Sequence, residues 1–268
     1  MSRLALRSTV AAVVVAIALV GSACDPDTVR VAFHPRPGAR YSYKVDVRSV
    51  TTSRLGDAEP TRSVDAAVLR ADHLVLSDDG GRVRVRVQLR RPGTPTRTYV
   101  VRFSRRAQLE DVETVEGLPA SVLGRLELPE VFPSAAGAPP DRPLAPGDRW
   151  HTTDRLQLPG GGNGTVEGVG RLVELGVVGG RKVATIVSQT RLPLVTESQV
   201  RGGTLSLDGV EISDVKARRA LADGSVLTAD STTRGTFNMR LAPPSGSPGG
   251  PIPGTLTVEV RSKTRRLR

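Results

Sequence analysis

An all-β or β-dominated fold is what this sequence predicts: an antiparallel meander curled into a half-barrel, barrel or sandwich, with one or two short helices. Three observations carry that expectation. Residues 82–90 place Val83, Val85, Val87 and Leu89 on one face and Arg82, Arg84, Arg86, Gln88 and Arg90 on the other, the two-residue period of a half-buried strand. Comparable alternation recurs between Gly-, Pro- and Asp-rich turns, giving about a dozen strands. Against this, residues 119–132 hold the one plausible helix, a short turn over 120–126 stopped by Pro129.

Taken in order, a first strand is expected over 29–33, broken by Pro35 and Pro37. Tyr41, Tyr43, Val45 and Val47 alternate with Ser42, Lys44, Asp46 and Arg48 as the next strand. After a polar turn at 55–60, residues 64–76 form a long strand, and the turn Asp78-Asp79-Gly80-Gly81 leads into 82–90. Strands over 96–103 and 109–115 complete the first half. Residues 133–146, rich in proline, alanine and glycine, read as a linker or long loop. Further strands are expected over 165–178, 182–192, 203–207, 226–233, 235–241 and 256–260, the last followed by a basic tail from Lys263 to Arg268. Residues 210–222 are ambiguous, since Val210, Ile212 and Val215 fit a strand edge whereas 216–222 fit a helical turn.

Two short stretches, Pro37-Gly38-Ala39-Arg40-Tyr41 and Pro146-Gly147-Asp148-Arg149-Trp150, share the form P-G-x-R-aromatic, and each opens a strand-rich region. They point to two similar halves. The competing explanation is that P-G is a common turn. The expected organisation is a leader over 1–23, an attachment residue and tether over 24–39, a β-rich half over 40–132, the linker over 133–146 and a second β-rich half over 147–268.

The leader has the build of a secretory signal: Arg3 and Arg7 are its charges, and an uncharged apolar run covers 10–20. That run is too short for a bilayer-spanning helix of about 20 residues, and Asp25, Pro26 and Asp27 forbid its extension. Val20-Gly21-Ser22-Ala23-Cys24 follows and resembles the lipobox of bacterial lipoproteins, with Gly21 where an aliphatic residue is usual. The resemblance implies that Cys24, the single cysteine, carries the lipid, acyl chains of the palmitate kind. It also implies anchoring at the extracytoplasmic face of the cell membrane, where several acyl chains at about 0.8 kcal/mol per methylene bind firmly. Ordinary cleavage after Ala23 is the alternative.

The chain carries a formal charge of +11, and four of its 38 basic residues are lysine, leaving 34 arginines. Loss of the leader would bring the charge to +9. An anionic membrane surface or wall polymer is one partner such charge fits. The stronger reading is that GC-rich codon usage explains the arginine preference without any partner. Nucleic acid is excluded as an expected partner, because an exported chain with 3% aromatic residues has little to stack on bases.

Beyond the leader, Arg36-Pro37-Gly38-Ala39-Arg40-Tyr41-Ser42-Tyr43, Leu144-Ala145-Pro146-Gly147-Asp148-Arg149-Trp150 and the Gly-rich hairpin over 175–184 look like a family of uncharacterised bacterial lipoproteins built on a domain of unknown function. More remotely, the architecture is similar to half-barrel carriers of lipid or lipoprotein acyl chains in bacterial envelopes, an analogy of fold alone.

Chemistry-bearing patterns are sparse. His34, His73 and His151 lie far apart without a ligand-spaced partner, so no metal site is expected. Ser213-Asp214-Val215-Lys216 matches S-x-x-K, but neither S-D-N nor K-T-G accompanies it. Glu110, Asp111, Glu113 and Glu116 offer paired carboxylates, although a charged run at a strand end is usually solvated. Phe33, Tyr41, Tyr43, Tyr99, Phe103, Phe132, Trp150 and Phe237 read as core, with Trp150 packing the second half against the first. No catalytic residue and no cofactor is therefore expected. The sequence favours a non-enzymatic binding protein for an apolar or amphipathic ligand or an envelope partner. The alternative is an interaction module that meets anionic lipid or wall polymer through basic sheet faces.

Overall fold

The computed structural model describes residues 28–107, 109–115, 118–119, 139–157, 163–200, 202–244, 246 and 249–267. The expected leader, Cys24, the helix over 120–126, Glu116, Phe132 and the first part of the linker lie outside the described residues. Those described form twelve strands: β1 (Arg40–Leu55), β2 (Thr61–Asp79), β3 (Arg82–Arg90), β4 (Arg97–Ser104), β5 (Leu109–Val115), β6 (Leu118–Pro119), β7 (Arg149–Gln157), β8 (Asn163–Val178), β9 (Arg181–Val200), β10 (Gly203–Ala220), β11 (Val226–Ala242) and β12 (Ile252–Arg266). The predicted β class holds, and no helix occurs among the described residues.

All neighbours pair antiparallel in one open sheet of order β6-β5-β4-β3-β2-β1-β12-β11-β10-β9-β8-β7. The first six strands step outward from β1 to one edge, and the last six start at the far edge and step back to β12. There β12 zips onto β1 from Tyr43↔Arg266 to Leu55↔Gly254. Among the described residues the equivalent seam, β6 against β7, is not made.

The two P-G-x-R-aromatic turns are built alike. Gly38 N–H donates to the Val75 carbonyl, Ala39 N–H to Arg36 and Val75 N–H to Ala39; Gly147, Asp148 and Leu172 repeat the same three bonds onto Leu172, Ala145 and Asp148. Each turn docks on the second strand after it at a bulge, between Val75 and Ser77 in β2 and between Leu172 and Glu174 in β8. In both, the glycine has positive φ, +81° and +97°, a conformation that only glycine adopts without strain.

Several sequence expectations need correction. Residues 29–33 form no strand; they make a single bridge, Val29↔Leu144, and then run through the core. The expected strands over 226–233 and 235–241 are one, β11, and the ambiguous stretch 210–222 belongs mostly to β10 without a helical turn. Lys263–Arg266 are not a free tail, because β12 continues through them.

The curl of the sheet follows from one short segment. Phe33 N–H donates to the Arg105 carbonyl (2.6 Å), beyond β4, and His34 N–H to the Asp223 carbonyl (3.0 Å), beyond β10. Strands β4 and β10 stand six steps apart in the sheet, roughly 29 Å if it were flat at about 4.8 Å per step. Adjacent residues, about 3.8 Å apart, reach both, so the sheet must bend round this segment. Val31 and Phe33 are buried there, Phe33 meeting Phe103 edge-on with ring centroids 6.0 Å apart. Gly224 permits the close approach: a Cβ on it would lie 2.1 Å from the Ala32 carbonyl oxygen, and its φ is +67°.

A polar knot locks this closed end. Asp223 accepts from Tyr41 Oη (2.9 Å), from the Ser225 hydroxyl (2.6 Å) and from the Ser225 N–H (2.9 Å). Arg266 lies 4.6 Å over the Tyr41 ring and donates to Ser225 Oγ. Arg219, fully buried, donates from Nε to the Gly224 carbonyl (2.8 Å). Burial lowers its pKa to about 10, against the opposing pull of Tyr43 and Asp223, and leaves it charged at neutral pH.

His73 sits in the core at 3% exposure with Tyr43 edge-on to it at 5.1 Å, and neither ring nitrogen has a hydrogen-bond partner among the described residues. Burial lowers its pKa from 6.5 to about 4, against a smaller pull from Asp72. Below pH 6.5 the unfolded chain takes a proton that the folded chain refuses until about pH 4. Stability is thus fully present above this window and falls through it. At pH 4.5, His73→Phe should therefore gain about 2–3 kcal/mol over wild type relative to their difference at pH 7.5, read by urea denaturation at both values. Gly224→Ala should cost about 3 kcal/mol at either pH, from strain and the clash with Ala32.

Candidate functional site

One face of the sheet points inward, and its burial fades along the strands. At the closed end Ala217, Ile186, Ala229 and Leu172 are fully enclosed. Strand alternation continues that face through Ser188 and Thr190 of β9, Ser213 of β10, Ser231 and Thr233 of β11 and Ser262 of β12, which form a belt of small hydroxyl side chains. Ser231 and Ser262 hydrogen-bond at 2.7 Å, and Thr233 Oγ1 donates to Ser213 Oγ at 3.0 Å.

Beyond the belt the face becomes apolar and open. Leu192 and Leu194, Leu205 and Leu207, Phe237 and Met239, and Leu256 and Val258 come together through the registers Gly209↔Leu194, Leu207↔Met239, Phe237↔Leu256 and Gly235↔Val258. Phe237 is 7% exposed, its ring filling the space over Gly235, while the leucines, Met239 and Val258 are only half-buried. This field spans four strands, about 14 Å, and on β9 it gives way to Thr196 and Ser198, which stand opposite Leu207 and Leu205. It lies where the sheet projects: the β2–β3 ladder ends at Arg70↔Arg90 and the β8–β9 ladder at Glu167↔Arg191, whereas β9, β10, β11, β12, β1 and β2 run on. On the reverse of the same strands stand Arg191, Glu197, Asp208, Arg234 and Arg240.

Glu211 interrupts the inner face between the belt and the apolar field. It pairs in register with Leu192 and Gly235 and makes no hydrogen bond or ion pair with the described residues. Burial raises its pKa above the ordinary glutamate value.

Most residues singled out from sequence do not converge. Ser213 faces inward and Lys216 outward, as an odd separation on a strand requires, so the S-x-x-K match brings no nucleophile to a base. Two of the three carboxylates of β5 are engaged by arginines: Glu113 bridges Arg84 (2.7 Å) and Arg102 (2.6 Å), and Glu110 lies 3.6 Å from Arg82. The arginine row of β3 is thus in part a cross-strand charge ladder. His34 and His151 are exposed and His73 is enclosed; among the described residues no three His, Cys, Asp or Glu stand close enough to hold a metal ion. Seven of the eight aromatics read as core are buried, Phe132 lying outside the described residues, and the Trp150 indole covers Gly170 of the neighbouring strand β8.

A second feature lies where β3 stops short of β2. A depression of about 510 Å³ there is ringed by Lys44, Arg70, Arg90 and Arg91 over Val68 and Pro92. Its cations have acidic neighbours, Lys44 with Asp46 (3.0 Å), Arg70 and Arg90 with Asp72 (3.5 and 3.4 Å) and Arg91 with Asp65 (3.2 Å). Burial raises the Asp72 carboxyl, but the Ser42 hydroxyl with Arg70 and Arg90 outweighs it and holds the group below the ordinary range.

Sequence reading did not find the apolar field as a site, since its leucines occupy four strands and only register unites them. Glu211 stands in the polar-looking stretch Asp208-Gly209-Val210-Glu211-Ile212-Ser213-Asp214. Counting back in twos from Val215 would have placed it inward. No family model matches the chain, and no curated protein matches it.

If the closed end is core and the open field is surface, the two respond differently to truncation. Ile186→Ala should cost about 2–4 kcal/mol of unfolding free energy, and Leu207→Ser at most about 1, by urea denaturation of each variant.

Proposed function

We propose that this chain is a non-enzymatic binding protein that carries an apolar or amphipathic ligand on the open half of its inner sheet face, and that it works at the extracytoplasmic side of a bacterial membrane, anchored through Cys24. The observation that carries the ligand reading is the half-exposed apolar field of Leu192, Leu194, Leu205, Leu207, Met239 and Val258, with the hydroxyl belt at its inner end and Thr196, Ser198, Thr51 and Ser53 along its flanks. Apolar area left in water on a concave face stabilises whatever covers it, at about 25 cal/mol per Å² removed from solvent. A chain-like apolar group fits the leucines, and a polar end fits the belt. The anchor reading rests on the lipobox-like residues 20–24.

A neutral apolar dye such as Nile red tests the ligand reading. Its fluorescence should rise on mixing with the purified protein and saturate, and Leu207→Arg should weaken binding about tenfold without loss of folded structure. Binding unchanged in that variant would refute the site. For the anchor, Cys24→Ser should release the protein from the membrane fraction.

A second reading has its own observation, the depression ringed by Lys44, Arg70, Arg90 and Arg91 on a chain of charge +11. There the protein would hold anionic lipid or wall polymer through its basic outer faces. Binding of a non-acylated form to anionic vesicles would then collapse between low salt and about 0.5 M, whereas dye binding on the inner face would persist.

A further inference from the structure

Glu211 is a half-buried carboxylate whose immediate neighbours on the inner face are apolar side chains, hydroxyls and glycines. Every side chain facing it is uncharged: Leu192 and Gly235 stand beside it in register, Thr190, Leu194, Thr233 and Phe237 are diagonal to it, and Gly209 and Ser213 flank it on β10. Strand alternation directs the surrounding arginines and lysines to the other face, as Arg191, Lys216 and Arg234 illustrate. Buried carboxylates are ordinarily paired or hydrogen-bonded, because leaving one unpaired costs its desolvation with nothing in return. In a chain with 38 basic residues, none is supplied here by the described part of the protein.

We infer that Glu211 selects ligands of the inner face whose polar group is a cationic amine. The proposal rests on the reading of that face as a ligand surface and adds the head-group chemistry. With its apolar chain over the leucines of β9 and β10, an amine-bearing amphiphile places its ammonium at the border of field and belt. There it meets the carboxylate, with Ser213 and Thr190 one residue pair further in. An anionic head group at that position is repelled, and an uncharged one gains only a neutral hydrogen bond. Burial disfavours the ionised carboxyl, and a neighbouring ammonium opposes that by stabilising the charged form.

Three ligands of one chain length separate the terms: dodecylamine, dodecanol and dodecanoate, each titrated below its micelle concentration at pH 7.5 by displacement of Nile red. The expected order is amine, then alcohol, then carboxylate, with about tenfold between first and last. That order runs against the net charge of the protein, which by itself favours the carboxylate. In Glu211→Gln the amine should weaken about tenfold while the alcohol is unchanged. Glu211→Leu should tighten the alcohol, and so keeps the site testable if the glutamine variant folds poorly. Equal affinities in wild type, or a preference for amine that survives Glu211→Gln, would overturn the selection by Glu211 and leave the apolar site standing. Failure of all three to displace the dye would overturn the ligand surface itself.

Discussion

Two consecutive backbone N–H groups, those of Phe33 and His34, decide the shape of this protein. One bonds the turn after β4 and the other the turn after β10, so strands six steps apart are drawn to two adjacent residues. Everything at the closed end is consistent with that constraint. Phe33 brings apolar area into the bend, Gly224 lacks the side chain that would block it, and Asp223 gathers Tyr41 and Ser225 around the same turn. A buried arginine beside this turn is tolerated because its Nε–H is bonded to a carbonyl and Asp223 is near.

The open half follows from the same geometry. The six central strands extend past their neighbours β3 and β8, and nothing equivalent to residues 31–36 reaches their far ends among the described residues. Core-type side chains on the inner face therefore meet solvent. The switch from enclosed Ile186 through hydroxyls to half-exposed Leu192 happens within one strand, at steps of two residues. A gradient of this kind suits a ligand with one polar and one apolar end, since each part of it finds a matching surface.

The fold was legible wherever one strand carried its own pattern. Val83, Val85 and Val87 alternate with arginine, and β3 has the bounds that this alternation implies. Where partners decide, local letters mislead. Lys216-Ala217-Arg218-Arg219-Ala220 is composed of good helix formers, yet pairing with β9 and β11 holds it extended, Ala217 and Arg219 inward. Gly235 looks like a break in β11; its missing side chain instead makes room for Phe237. Val29 to Phe33 has strand-like residues but no strand beside it over that length, and its apolar side chains serve as a plug. Arg266, apparently a tail residue, is held by Tyr41 and Ser225. The candidate site was illegible for a related reason: its residues are ordinary individually, and the register that collects them is a property of the sheet.

The bend imposed by residues 33 and 34 is the central claim, and a distance reports it most directly. With Cys24 replaced by serine, spin labels on cysteines at the exposed positions Arg106 and Ala222 mark the turns after β4 and β10. Dipolar spectroscopy should give a narrow distribution well under the roughly 29 Å separating those strands in a flat sheet. A distribution centred near or above that separation would contradict the account.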